Sequence, residues 1–250
     1  MKNATILAGE TFKTNNGGEC VVIEVRGCYE VLIEHLDEYK HRATVTASQL
    51  RGGRVKNPYR PRIHGVGFVG FGRHKASISG RDTRPYVAWT RMIERAYCRA
   101  KQVENPTYAE ASVCPEWHNF QNFAEWYDSQ PFKGAGYQLD KDILVKGNKH
   151  YCPSTCRLVP EKINKLLTGS DSRRGGHPMG VNFYAGKFCA HCSTDGRKNY
   201  IGRFGSAIEA FNAYKKYREN YIKRCAEDMR DLMPAEVYGA LISWDISIED

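Results

Sequence analysis

Tyr137-Gln138-Leu139-Asp140-Lys141-Asp142, Lys146-Gly147-Asn148-Lys149, Thr155-Cys156-Arg157-Leu158-Val159 and Pro160 to Leu167 form the stretch on which the fold turns. Gly134 opens a turn that leads into a strand ending near Asp142. Lys146 to Lys149 is a second turn, and Thr155 to Val159 is a second strand. Pro160 stands at a first helical position, where its locked φ and missing N–H cost nothing, and Glu161 to Leu167 continue as a short helix. The order is therefore strand, loop, strand, helix.

Downstream, Ser170 to Gly176 reads as a flexible basic linker carrying Arg173 and Arg174. Met179 to Ala190 and Asn199 to Phe204 read as strands around the turn Asp195-Gly196. Ser206 is an N-cap with Glu209 completing a capping box. The helix that follows places Ile208, Ala210 and Phe211 on an apolar face, with Lys215, Lys216, Arg218, Lys223 and Arg224 on the other. Upstream, Trp89, Met92, Ile93, Ala96 and Tyr97 recur at helical spacing from Tyr86 and predict one buried face. A second helix is predicted around Trp117, Phe120, Phe123, Ala124 and Tyr127, between Cys114-Pro115 and Pro131. At that spacing these aromatics are core residues rather than a base-stacking platform. Residues Gly9 to Leu50 alternate short apolar runs with turn signals, as in a small antiparallel β barrel.

The expected architecture is α+β. It comprises a small N-terminal β barrel over 1–56, a basic glycine-rich linker over 57–85, a helical and ββα domain over 86–169, a three-stranded sheet with one helix over 177–230, and an acidic tail over 231–250. The formal net charge of +9 points to a polyanionic partner, since basic surface gains affinity by releasing counterions from nucleic acid. The excess is local. Arg51 to Lys75 holds seven Lys or Arg and no acid, and Arg173 to Arg230 carries a net +7, whereas Asp231 to Asp250 has five acids and no base and is expected to pack away from a phosphate backbone. No apolar run approaches the roughly 18 residues of a membrane span. With a polar start and nine cysteines in irregular spacing, the expectation is a reducing, cytoplasmic compartment.

The segments Leu139 to Asp142, Gly147-Asn148, Pro153 to Arg157 and Pro160 to Asn164 resemble the ββα core of HNH (His-Me finger) homing endonucleases of the phage and intron type. The resemblance implies a phage-encoded enzyme acting in a bacterial host, which nicks or cleaves double-stranded DNA with one Mg²⁺ or Mn²⁺ ion. It places Asp140 as the strand metal ligand, Asn164 as the helix ligand and Asn148 as the structural asparagine of the loop. Lys141 stands where the family carries its general-base histidine. Asp142 or His150 could serve as base instead, or Lys141 could contact phosphate. Cleavage and binding without cleavage, as in a regulator or a defence or counter-defence factor, both stay open.

Gly180-Val181, Gly186-Lys187-Phe188, Ile201 to Phe204, Glu209-Ala210 and Ala213-Tyr214 resemble an AP2 (ERF-type) DNA-binding domain, which lays a three-stranded sheet in the major groove with a helix behind it. That resemblance assigns DNA contacts to Tyr184, Lys187, Arg197, Lys198 and Arg203, beside the linker bases Arg173 and Arg174. The N-terminal barrel is similar to an SH3-like one in outline only. Cys189 and Cys192 have the CxxC spacing, yet two ligands do not make a zinc site, so thiols rather than structural zinc are expected. An RNA-binding or protein-interaction role built on Met1 to Leu50 is a third reading.

Overall fold

A computed structural model describes residues 5–167 and 176–249 and divides the chain into two compact units. Arg173 and Arg174 lie outside the described residues. The first unit takes Met1–Cys98 with Pro115–Ala124, and the second takes Arg99–Cys114 with Glu125–Asp250.

In the first unit, β1 (Thr11–Lys13), β2 (Glu19–Gly27), β3 (Glu30–His35) and β4 (Arg42–Val45) form an antiparallel meander in chain order. The expected barrel does not close: β1 and β4 remain edges of an open sheet. One face buries Cys20, Val22, Val31 and Ile33, and the short helix α1 (Ala47–Arg51) adds Ala47 and Leu50 to the same core. Burying one face this way needs no closure.

Past a two-stranded ribbon, β5 (Ser77–Ile78) and β6 (Arg81–Asp82), α2 runs over Arg84–Tyr97. Its start is set by Thr83 as N-cap and by a proline in the first turn. Trp89, Met92, Ile93 and Ala96 are buried as their spacing predicts. The Trp89 indole N–H, which could not be buried unpaired, donates to the Trp117 carbonyl at 2.7 Å.

The glycine-rich stretch before α2 is packed rather than solvated. The Phe68 N–H donates to the His118 carbonyl at 2.9 Å, and the Phe120 N–H returns to the Phe68 carbonyl at 2.9 Å. Gln121 Nε2 donates to the carbonyls of Val69 and His74. Gly70 sits at φ +71°, and a Cβ there would lie 2.2 Å from Asn119 Oδ1, so only glycine admits this close approach.

The second unit begins with α3 (Arg99–Glu104) and β7 (Ser112–Val113), and α4 (Phe120–Ser129) runs into it. Next come β8 (Tyr137–Asp140), β9 (His150–Tyr151), β10 (Arg157–Pro160) and α5 (Glu161–Leu167). β8 and β10 pair antiparallel with Asp140 opposite Arg157, while β9 pairs in parallel with β7. The chain then forms the antiparallel sheet β11 (Val181–Tyr184), β12 (Lys187–Thr194) and β13 (Arg197–Phe204), followed by α6 (Ala207–Asp228) and α7 (Ala235–Ile242).

The capping box at the start of α6 is present: Glu209 N–H donates to Ser206 Oγ and Ser206 N–H to Glu209 Oε2, each at 3.2 Å. Ala210 and Phe211 are buried as expected, whereas Ile208 is 62% exposed. The segments expected as separate domains share one core. Ile143, Val159, Ile163 and Leu166 pack with Ala190, Cys192, Phe211, Tyr214 and Ile222. The acidic C-terminal segment joins that core through Met233, Val237, Leu241 and Ile246. Among the described residues, no helix is long and apolar enough to cross a membrane.

Candidate functional site: an acidic loop and an open basic sheet face

Directly after β8, Asp140 turns the chain by accepting the N–H groups of Asp142 (2.9 Å) and Ile143 (2.7 Å) on one carboxylate oxygen. This local side-chain turn is what aspartate does well. Asp140 is buried, and burial followed by the neighbouring Asp142 charge pushes its carboxyl up to about 6. Lys141 is also buried, and its ammonium donates to Asp142 Oδ2 at 2.9 Å. It also lies over the Tyr151 ring, 5.9 Å from its centroid.

Asn148 clips the loop shut. Its Nδ2 donates to the carbonyls of Lys141 (2.7 Å) and His150 (2.8 Å), and its Oδ1 accepts the His150 N–H at 3.1 Å. His150 is exposed, with its Nδ1 2.9 Å from Ser112 Oγ.

Asn164 projects from α5 and donates through Nδ2 to Gln138 Oε1 at 2.6 Å. Gln138 and Asp140 are two residues apart on β8 and therefore share a face. The helix amide and the strand carboxylate thus meet the same side of the hairpin, with Gln138 as a go-between that sequence reading did not single out. Its position two residues before Asp140 was the available signal.

The oxygen groups here of the type a hard cation takes are the carboxylates of Asp140 and Asp142 and Asn164 Oδ1, with Asp142 Oδ2 already accepting from Lys141. Among the described residues no three His, Cys, Asp or Glu side chains are grouped to hold a metal, and the Lys141 ammonium already neutralises Asp142. Lys141, weighed as a base or a phosphate contact, is paired with Asp142 in this arrangement. Of the three residues weighed as base, His150 alone presents an exposed ring nitrogen.

The sheet β11–β13 is built on two tight hairpins. Ala185-Gly186 (φ 48° and 75°) and Asp195-Gly196 (φ 50° and 76°) each place two successive residues at positive φ, the conformation of a two-residue type I′ turn. α6 covers one face, and the fit is close: Gly180, at φ +75°, would put a Cβ 2.1 Å from the Tyr214 ring.

Ala190 and Cys192 point into that core, so the residues alternating with them point away. Directly paired residues share a face, which places Tyr184 with Lys187, Cys189 with Arg203, His191 with Tyr200, and Ser193 with Lys198 on the helix-free side. A register irregularity at Ala190/His191 keeps both halves of the face in phase. Cys189 and Cys192 consequently project to opposite faces rather than toward one point.

Tyr184 and Tyr200 are 70% and 58% exposed, and Lys187, Lys198 and Arg203 are exposed beside them. Arg203 also donates to the Ala185 carbonyl at 3.2 Å, which steadies its guanidinium. Arg197 pairs with Thr194 and has the opposite parity, at the hairpin end. Tyr200 and His191 were missed in the sequence reading, although counting alternate residues from Asp195-Gly196 puts Tyr200 beside Lys198. The His191 ring packs on Tyr200, with centroids 5.3 Å apart. Burial, then the Lys198 charge, holds its imidazole below the ordinary histidine range.

Asp195, the one acid between His177 and Phe204, accepts the Tyr221 hydroxyl at 2.7 Å and lies 3.5 Å from the Lys162 ammonium, so it does not neutralise the face. Comparison with protein-family models, with curated proteins and with solved structures gives no match to this chain.

Proposed function

We propose that this chain binds double-stranded DNA through the helix-free face of β11–β13. The observation that carries the reading is that Tyr184, Lys187, Lys198, Tyr200 and Arg203 share that face with no acid among them. Lys and Arg neutralise phosphates, while the tyrosines and the Arg203 fork supply flat surfaces and directed donors. The sheet turned outward with a helix behind it resembles the AP2 arrangement expected from the sequence.

The test is fluorescence anisotropy on a labelled duplex across a salt series. With Lys187, Lys198 and Arg203 on phosphates, log affinity falls against log salt with a slope of about −3. Affinity indifferent to salt removes the reading.

A second reading, a metal-dependent endonuclease of the HNH type, is favoured by the raised Asp140 carboxyl beside Asp142, because a buried carboxylate next to a second one favours a shared proton or cation. Mg²⁺ or Mn²⁺ would be held there by Asp140, Asp142 and Asn164, and would stabilise charge on a scissile phosphate. His150 supports it as the exposed base. Supercoiled plasmid incubated with each metal is nicked by the wild type and not by Asp140→Ala or Asn164→Ala. Nicking retained in both variants assigns the activity elsewhere, and no nicking with either metal leaves DNA binding alone.

A further inference from the structure

The first unit contains a cavity of about 360 Å³ whose lining includes His35, Asp37, Glu38, Tyr39, Tyr59, Arg60 and Phe68. No element of the functional reading above uses it. Its size falls in the range of small-ligand pockets, and its lining combines three features.

The first is an aromatic wall. Tyr39 and Tyr59 stack with ring centroids 4.4 Å apart and planes 11° apart, and Phe68 tilts against both. Tyr39 remains 43% exposed, so the stack ends on open ring surface.

The second is a buried nitrogen without a partner. His35 is 1% exposed, a hydrogen bond to the Lys56 backbone engages its ring, and its Nε2 makes no hydrogen bond. Buried polar atoms are almost always paired, so a lone one in a cavity wall marks a place where a ligand supplies the partner. Burial holds this imidazole below the ordinary histidine range, so the ring is neutral. A neutral imidazole has one acceptor nitrogen, and Nε2 is the ring nitrogen left without a hydrogen-bond partner among the described residues.

The third is Arg60, whose guanidinium packs along Gly17 and Gly18 and has no ion pair among the described residues. Its planar fork of donors is free for acceptor atoms.

We propose that this cavity binds an unpaired nucleobase, stacked on the Tyr39–Tyr59 pair, with its N–H edge on His35 Nε2 and its acceptor atoms on Arg60. A flat heterocycle satisfies all three features at once, because every base has a π-face and an edge mixing donors with acceptors. A methylated ammonium, the other ligand that aromatic pockets take, fits less well. The tyrosines lie parallel rather than boxed around a point, and a cation offers His35 Nε2 no partner unless it keeps an N–H. The Asp37 carboxylate is occupied by Asn57 Nδ2 and by the N–H groups of Tyr39 and Lys40, and Glu38, the other acid of the lining, is engaged by a hydrogen bond with the Tyr39 side chain.

The same base chemistry could arrive as a free nucleotide or as a base extruded from a strand. The experiment therefore titrates the full chain with the four nucleoside 5′-monophosphates, with a duplex carrying one extrahelical base, with the same duplex fully paired, and with tetramethylammonium. The ring nitrogen resonance of His35, assigned with His35→Gln, is the readout. That signal is local to the cavity, so it responds independently of any duplex binding by the sheet of the second unit.

The His35 Nε2 resonance moves with a base-bearing probe and not with the fully paired duplex. Tyr39→Ala and Arg60→Ala, both at the cavity surface, each weaken the response by about tenfold. A response to the mononucleotides alone assigns a free nucleotide, and a response to the extrahelical base alone assigns a strand. No shift with any base-bearing probe at millimolar concentration overturns the proposal. So does a shift produced only by tetramethylammonium, or equal binding by both variants.

Discussion

The loop after β8 and the open face of β11–β13 belong to one unit and share one core, yet they treat charge in opposite ways. In the loop, Asp140 and Lys141 are buried, and they and Asp142 are satisfied by one another and by the backbone. On the sheet, Lys187, Lys198 and Tyr200 stand in solvent without an acid opposite them. A charge that the fold neutralises internally contributes to folding, whereas one left bare is available to a partner. The distinction also sorts α6: Lys215 is tied to Asp245, and Arg218 to the carbonyls of Leu166 and Ser193.

The contrast can be broken experimentally, beginning with its largest consequence. The Asp140 carboxyl is raised from 3.8 to about 6 in the folded chain, so its contribution to stability is complete below pH 3.8 and is lost as pH rises through 6. That is about 3 kcal/mol at 1.36 kcal/mol per unit. Urea titrations of wild type and Asp140→Asn at pH 4 and pH 7 isolate it. Between those two pH values the difference between the two proteins changes by most of that amount, about 2 kcal/mol, and a constant difference removes the buried-acid account.

Next, replacing Lys187, Lys198 and Tyr200 together by alanine lowers duplex affinity about a hundredfold at low salt, taking roughly 1 kcal/mol per side chain. The melting temperature stays where it was, because those side chains support no part of the core. A lowered melting temperature with unchanged affinity reverses the comparison.

Asn148→Ala deletes three hydrogen bonds of the loop. It costs about 2 kcal/mol in urea unfolding, and Asn148→Asp recovers the part that rests on Oδ1. The smallest effect belongs to Lys215→Ala, whose exposed pairing with Asp245 is worth too little to move the unfolding midpoint measurably.

Local patterns were legible in the chain itself. The buried face of α2, the bounds of α5 and the capping box of α6 depend on residues three or four positions apart, which a linear reading registers directly. Asn148 as a loop clip came from the resemblance of the segment rather than from spacing, and its partners are Lys141 and His150.

Pairings between distant residues were not. The chain does not announce that its first sheet stays open, that Asn119 and Gln121 fasten the glycine-rich stretch, or that the acidic end of the chain becomes core. Nor does it show that Ile208 faces solvent or that Lys141 spends its charge on Asp142. Spacing, charge and turn chemistry alone established an α+β chain with a ββα segment and a basic three-stranded sheet. Tertiary structure alone decided which charges are consumed and which stay bare, and where His35 leaves a nitrogen unpaired, because burial and electrostatic pairing depend on the three-dimensional neighbourhood of a side chain rather than on its place along the backbone.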